Sequence, residues 1–228
     1  MMQRDQPRDG GQAAQRAGTF VVGMSGGSGV RYALRIVEQL ARSGAAVQLV
    51  VSEAGFRVLQ HEQGVAVDRP GFDVRELFAA ELRDRITVFD IAAVESTPAS
   101  GSAAIDGVVV CPCSMGTLAR IAHGFSTNLI ERAADVAIKE ARRLILVPRE
   151  TPLSVVHLRN MLLAAEAGAV VLPAMPGFYH RPQSIDDLID FVVARVLDRL
   201  GVEHAVVRRW QTPEPREGTS PWNEGELA

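Results

Sequence analysis

The chain has 228 residues, 47% of them apolar and 22% charged, enough to bury roughly 70% of its unfolded surface in one domain without disulfides or metal. Its 24 basic and 27 acidic side chains leave a net charge of −3, which argues against nucleic acid or an anionic membrane as the main partner. No apolar run is long enough to span a membrane and residues 1–18 lack a secretory apolar segment, so the expected location is the cytoplasm.

Residues 1–18 are rich in Gln, Arg, Asp and Gly, and residues 211–228 are acidic and proline-containing. Both read as disordered tails, because neither holds enough apolar side chains to offset the entropy of ordering. One domain over 19–210 is expected between them.

Within it, Thr19–Met24 is an apolar run that reads as a strand and enters a Gly/Ser turn. Val30, Ala33, Leu34, Val37, Leu40 and Ala41 follow with helical spacing, closed by Gly44. Val47–Ser52 reads as a strand, 53–63 as a helix and Ile86–Phe89 as a strand. Val108–Cys111 is β-branched and apolar, and the turn after it opens another helix. Then come a helix over Asn128–Arg142, a strand over Leu144–Val147 and a helix from Pro152. A short strand over Val170–Leu172 precedes a last helix over Ser184–Leu200, with Asp187 three residues after the capping Ser184. Strands apolar on both faces and separated by helices predict a three-layer α/β/α sandwich on a parallel sheet, flavodoxin-like or Rossmann-like.

Ligands of such sheets bind beyond the carboxyl ends of the strands, so the turns there carry the functional reading. Gly23-Met-Ser-Gly-Gly-Ser-Gly29 presents backbone N–H groups at a helix start, and Ser25 or Ser28 could add a hydroxyl to a bound phosphate. It matches neither the dinucleotide fingerprint nor a P-loop. Cys113-Ser-Met-Gly-Thr117 is a second hydroxyl-rich turn, readable as a ligand contact or a helix cap. Arg149-Glu150 directly follows an apolar strand, where a charge pair is expensive unless partnered; it reads as an anion-holding and proton-transferring pair or as a salt-bridged terminus.

Cys111 and Cys113 read as packing residues, and the five histidines show no metal-binding spacing. Tyr179 lies on a strand-end loop, whereas Arg195 fits either a solvated helix face or a site. Of the 24 basic residues only Lys139 is lysine, which suits a position needing a compact point charge, although chance explains it equally well.

Six strings in order resemble the UbiX-type flavin prenyltransferases: Gly23–Gly29, Pro98-Ala-Ser-Gly-Ser102, Cys111-Pro-Cys-Ser-Met-Gly-Thr117, 128–140, Leu146-Val-Pro-Arg-Glu-Thr-Pro152 and 172–180. The resemblance runs from Thr19 to Trp210. It implies a metal-independent enzyme that joins the dimethylallyl group of dimethylallyl phosphate to N5 and C6 of reduced FMN and passes the prenylated flavin to UbiD-type decarboxylases. By position, Gly26, Gly27, Ser28, Ser52, Ser114, Met115, Gly116, Thr117 and Arg149 would contact FMN. Lys139, Arg149, Glu150, Tyr179 and Arg195 would surround the prenyl phosphate, Glu62 would be a further active-site carboxylate, and Trp210 would close over the site. Ser28, Glu62, Lys139 and Glu150 are the expected catalytic set. A homododecamer with sites between subunits is also implied.

Two rival readings are an FMN-binding delivery subunit without transferase activity and a flavin-dependent cysteine decarboxylase. The latter family carries an Asn-bearing Pro-Ala-Ser-Ala-Asn-Thr string, where this chain has Pro98-Ala-Ser-Gly-Ser-Ala103.

Overall fold

The structure is a computed structural model and describes residues 17–207. The two expected tails lie almost wholly outside this range, and Trp210 lies outside it as well. Six strands, β1 (Thr19–Met24), β2 (Ala46–Val51), β3 (Ile86–Phe89), β4 (Gly107–Cys113), β5 (Arg143–Pro148) and β6 (Val170–Val171), form one sheet in the order β3-β2-β1-β4-β5-β6. Every neighbouring pair is parallel. The helices are α1 (Val30–Arg42), α2 (Glu53–Gln63), α3 (Met115–Ala122), α4 (Leu129–Lys139), α5 (Val155–Glu166) and α6 (Ile185–Leu200).

Strand side chains alternate between two cores. Phe20, Val22 and Met24 of β1 pack with α1, α2 and α6 on one face, while Val21 packs with α3 and α4 on the other. Apolar residues are therefore needed at both strand parities, which is why these strands read as unbroken apolar runs. The expected three-layer parallel sandwich is present.

Element ends are set by capping. Asn128 is a cap rather than a helical residue, its side chain accepting from the Glu131 N–H, and α4 stops at Lys139 before Ala141 turns left-handed at φ 51°. The helix expected from Pro152 starts only at Val155, where Ser154 and His157 form a reciprocal capping pair. Three short 3-10 helices, Val74–Leu77, Ala80–Arg85 and Thr97–Ala99, escaped the sequence reading because single turns leave no periodic signature.

Chain connections leave β1 toward one side of the sheet and β4 toward the other. The turns after these two adjacent strands therefore part around a crevice, where parallel sheets of this order place their ligands.

Candidate active site

The two turns are joined by Ser25. It is 1% exposed; its hydroxyl donates to the Pro112 carbonyl at 2.9 Å and accepts from the Ser114 N–H at 2.7 Å. Its own N–H also reaches Pro112 O, at 3.1 Å. The sequence had offered Ser25 as a donor to a ligand phosphate, but its hydroxyl is consumed in holding the crevice together, which leaves Ser28 for that task. Removing it in Ser25→Ala strands the part-buried Ser114 N–H and should cost about 1–2 kcal/mol. A melting temperature lowered by about 2–8 °C is the expected measurement.

Glycines let these turns approach their neighbours at backbone distance. A Cβ on Gly26 would lie 2.7 Å from the Ala54 Cβ, and one on Gly27 would lie 3.3 Å from the Pro112 Cβ. Ser52 caps α2 by accepting from the Gly55 N–H at 3.0 Å. Ser114 caps α3 by accepting from the Thr117 N–H at 3.2 Å, and its hydroxyl meets Thr117 Oγ1 at 3.0 Å. Both serines are thus fixed by local bonds at the crevice mouth, with Met115 buried and Gly116 exposed beside them.

Glu62 reaches the same place from the far end of α2. Its carboxylate accepts from the Gly29 N–H at 3.0 and 3.1 Å and from the Val30 N–H at 3.0 Å. Gly29 is left-handed at φ 106° and gives α1 no side-chain cap, so Glu62 supplies the anion that the helix start favours. A phosphate on this turn is therefore left the N–H groups of residues 26–28. Glu62 thereby meets the residue next to Ser28, although no periodicity or motif links residues 33 apart.

Arg149 and Glu150 are exposed at the carboxyl end of β5. The burial cost expected for this pair is absent from the single chain, and Glu150 accepts only from the neighbouring Thr151 N–H, at 3.0 Å, among the described residues. Tyr179 is 83% exposed. Its loop is buckled onto α6: the Phe191 ring stacks on His180 at 5.5 Å, and a Cβ on Gly177 would come within 2.9 Å of it. One turn along α6, the Arg195 guanidinium lies 5.5 Å from the same ring. Phe191 thus meets both Arg195 and the loop that carries Tyr179.

Lys139 sits elsewhere. It ends α4, four residues before β5 begins, and therefore lies at the amino edge of the sheet. Its Nζ pairs with Glu140 at 3.0 Å, against the 98–102 loop, where Arg142 binds the Ser100 and Gly101 carbonyls. The six residues of β5 span about 20 Å, so one chain does not bring Lys139 to Arg149 and Glu150.

The sequence reading missed the cluster behind the second turn. Glu131, with a fully buried side chain, accepts from Arg120 Nε and from the Thr127 N–H at 3.0 Å and hydroxyl at 2.5 Å. Burial pushes its carboxyl up, but these donors outweigh it and hold the group below the ordinary glutamate range. Arg120 in turn lays its Nη1 3.8 Å from where a Gly116 Cβ would be. The only legible hint was a Glu three residues after a capping Asn.

Among the described residues no group of three or more His, Cys, Asp or Glu side chains could hold a metal ion, and no helix is long and apolar enough to cross a membrane. The flavoprotein family profile matches residues 12–197. Over 193 residues the chain is 47% identical to the flavin prenyltransferase UbiX of Halalkalibacterium halodurans, covering 85% of this chain and 93% of that one. The chain belongs to the flavin prenyltransferase family. The Pseudomonas aeruginosa flavin prenyltransferase UbiX is 45% identical over 194 residues, with 84% and 93% of the two chains covered.

Solved structures in the family superpose well. A UbiX protein in complex with FMN and dimethylallyl pyrophosphate is 38% identical with a TM-score of 0.75, covering 86% of this chain and 99% of that one. A dodecameric FMN-dependent UbiX-like decarboxylase from Escherichia coli O157:H7 is 39% identical with a TM-score of 0.74, covering 85% and 99%. The FMN-dependent cysteine decarboxylase TvaF shares 19% identity at a TM-score of 0.51, a likeness of fold alone.

Proposed function

We infer that the protein is a flavin prenyltransferase that joins the dimethylallyl group of dimethylallyl phosphate to N5 and C6 of reduced FMN. The observation that carries this reading is the 47% identity to a flavin prenyltransferase along 93% of that enzyme's length. The crevice suits FMN: the N–H groups of the first turn, the hydroxyls of both turns and Arg149 suit its phosphate. Gly26, Gly27, Ser28, Ser52, Ser114, Met115, Gly116, Thr117 and Arg149 would hold it.

Reduced FMN supplies the nucleophilic ring atoms, and the allylic phosphate supplies the carbon they attack. Lys139, Arg149, Arg195 and the Tyr179 hydroxyl bind the departing phosphate and stabilise its growing charge, where binding accelerates rather than merely holds. Glu150 with Ser28, or the departing phosphate itself, takes the proton lost from flavin C6. Trp210, outside the described residues, would complete the closure that keeps water from the allylic centre.

Two features support an oligomer. Lys139 and Arg149 occupy opposite edges of one sheet, so a phosphate held by both requires two protomers. Helix α5 also leaves Val155, Val156, Leu158 and Leu162 between 51% and 63% exposed, an apolar face suited to a second copy. We assign a homododecamer like that of the Escherichia coli relative. Leu158→Asp with Leu162→Asp should dissociate it, lowering the mass seen by light scattering and abolishing transfer while circular dichroism is retained.

The product suits a UbiD-type decarboxylase, a reaction class that needs a modified flavin. Two free, buried thiols accord with a reducing compartment, and we place the enzyme in the cytoplasm. The test is to incubate the protein anaerobically with FMN, a reductant and dimethylallyl phosphate, then weigh the extracted flavin. A flavin heavier by one C5H8 unit, dependent on the prenyl phosphate, is the expected result. Unmodified FMN from a protein that binds it would overturn the transferase in favour of a delivery subunit.

A further inference from the structure

His204 follows the last helix, and its side chain is only 5% exposed. Its Nε2 lies 3.2 Å from Asp198 Oδ1, and its buried Nδ1 has no hydrogen-bond partner among the described residues. A carboxylate only accepts, so Nε2 carries the proton in this contact. Asp198 lies six residues earlier, on the last turn of α6, and its Oδ2 is 3.6 Å from Arg195 Nη1. The three side chains form a row: a buried imidazole, a part-exposed carboxylate within hydrogen-bond distance of it, and an exposed arginine in ion-pair range of that carboxylate.

The row has a second support. The Arg195 guanidinium also lies over the Phe191 ring, so ring and carboxylate bound it from two directions. An arginine on an exposed helix face otherwise samples many rotamers, and selecting one costs entropy on each binding event. Nothing in the established fold requires a histidine here: an apolar residue would fill the same space without stranding a buried ring nitrogen. A half-satisfied buried polar group is costly, and the one hydrogen bond that His204 makes through its side chain among the described residues is to Asp198.

We propose that His204 is a positioning residue for the prenyl-phosphate site, acting through Asp198 to hold Arg195 in the orientation that receives the phosphate. This rests on the reading above that places Arg195 at that phosphate. His204 touches neither substrate. It fixes the carboxylate, and the carboxylate together with Phe191 fixes the guanidinium.

The test measures KM for dimethylallyl phosphate, kcat and the FMN dissociation constant in the full-length oligomer. His204→Phe keeps the ring volume and removes the donor, and should raise KM about two- to fivefold, with kcat lowered by a similar factor because Arg195 also stabilises the departing charge, and FMN affinity unchanged. His204→Gln keeps a donor near the Nε2 position and should return KM to the wild-type value. Asp198→Asn, at an exposed residue that does not endanger folding, should raise KM similarly, and the His204→Phe/Asp198→Asn double variant should be no worse than either single one. Additive effects, equal defects in the Gln and Phe variants, or an unchanged KM in Asp198→Asn would overturn the proposal. Arg195→Met separates the two layers of the argument. If it raises KM while Asp198→Asn does not, only the positioning role falls; if it leaves KM unchanged, the placement of Arg195 falls and the proposal falls with it.

Discussion

Lys139→Met is expected to lower kcat/KM for prenyl transfer by about 10²–10³, the usual cost of removing one preorganised group that stabilises developing charge. Met preserves the length and apolar stem of the side chain but not the point charge, which a guanidinium fork would replace only in part. FMN binding should be untouched, because Lys139 is assigned to the prenyl phosphate while the flavin is assigned to the two turns and Arg149. Measured separately, FMN affinity by fluorescence and transfer by mass spectrometry should therefore part company.

The same geometry gives a sharper expectation. Lys139→Met and Glu150→Gln, each inactive or slow alone, should regain transfer when the two chains are co-expressed and assemble together. Some interfaces of the mixed oligomer then pair an intact Lys139 edge with an intact Glu150 edge. Failure of the mixed oligomer to exceed both parents would show that each protomer builds its site alone.

The second large effect concerns Glu131. Removing its carboxylate in Glu131→Ala leaves the Thr127 N–H and hydroxyl without their acceptor and Arg120 without its partner. The loss should be about 2–4 kcal/mol, toward the lower part of the range for broken buried pairs because Arg120 is half exposed. The melting temperature should fall by roughly 5–15 °C.

Glu131→Gln separates charge from shape. The folded carboxyl is held below its unfolded value of about 4.3, so its ionic contribution is complete above that pH and is lost as pH falls through the folded value. Urea titrations should show the wild type ahead of Glu131→Gln at pH 7, with the gap closing below about pH 4. A gap independent of pH would assign the cost to shape alone.

Much of this molecule was legible because its strands are buried on both faces. Thr19–Met24 and Ile86–Phe89 carry their ends in the sequence, and Ser184 with Asp187 announces the start of α6. Turns at strand ends were equally readable, since glycines and small hydroxyl residues have few other reasons to cluster there. What stayed hidden is what distance along the chain conceals. Ser25 looks like any turn serine until Pro112, 87 residues away, lies against it. Glu62 looks like one of several surface charges on α2 until the start of α1 meets it. The division of the candidate residues between two sheet edges follows from strand direction, which a list of motifs does not contain.

The two thiols of β4 have a chemical consequence. Reduced flavins react with dioxygen and release peroxide, which attacks thiolates far faster than thiols. Cys111 and Cys113 flank Pro112 on the strand that leads into the flavin crevice, yet neither has any exposed surface. Burial pushes the Cys113 thiol up to about 12 and raises Cys111 further. Both therefore stay protonated and shielded, and the strand nearest the crevice offers an oxidant nothing to consume. Brief exposure to air should then cost this protein its bound reductant and spare its two thiols.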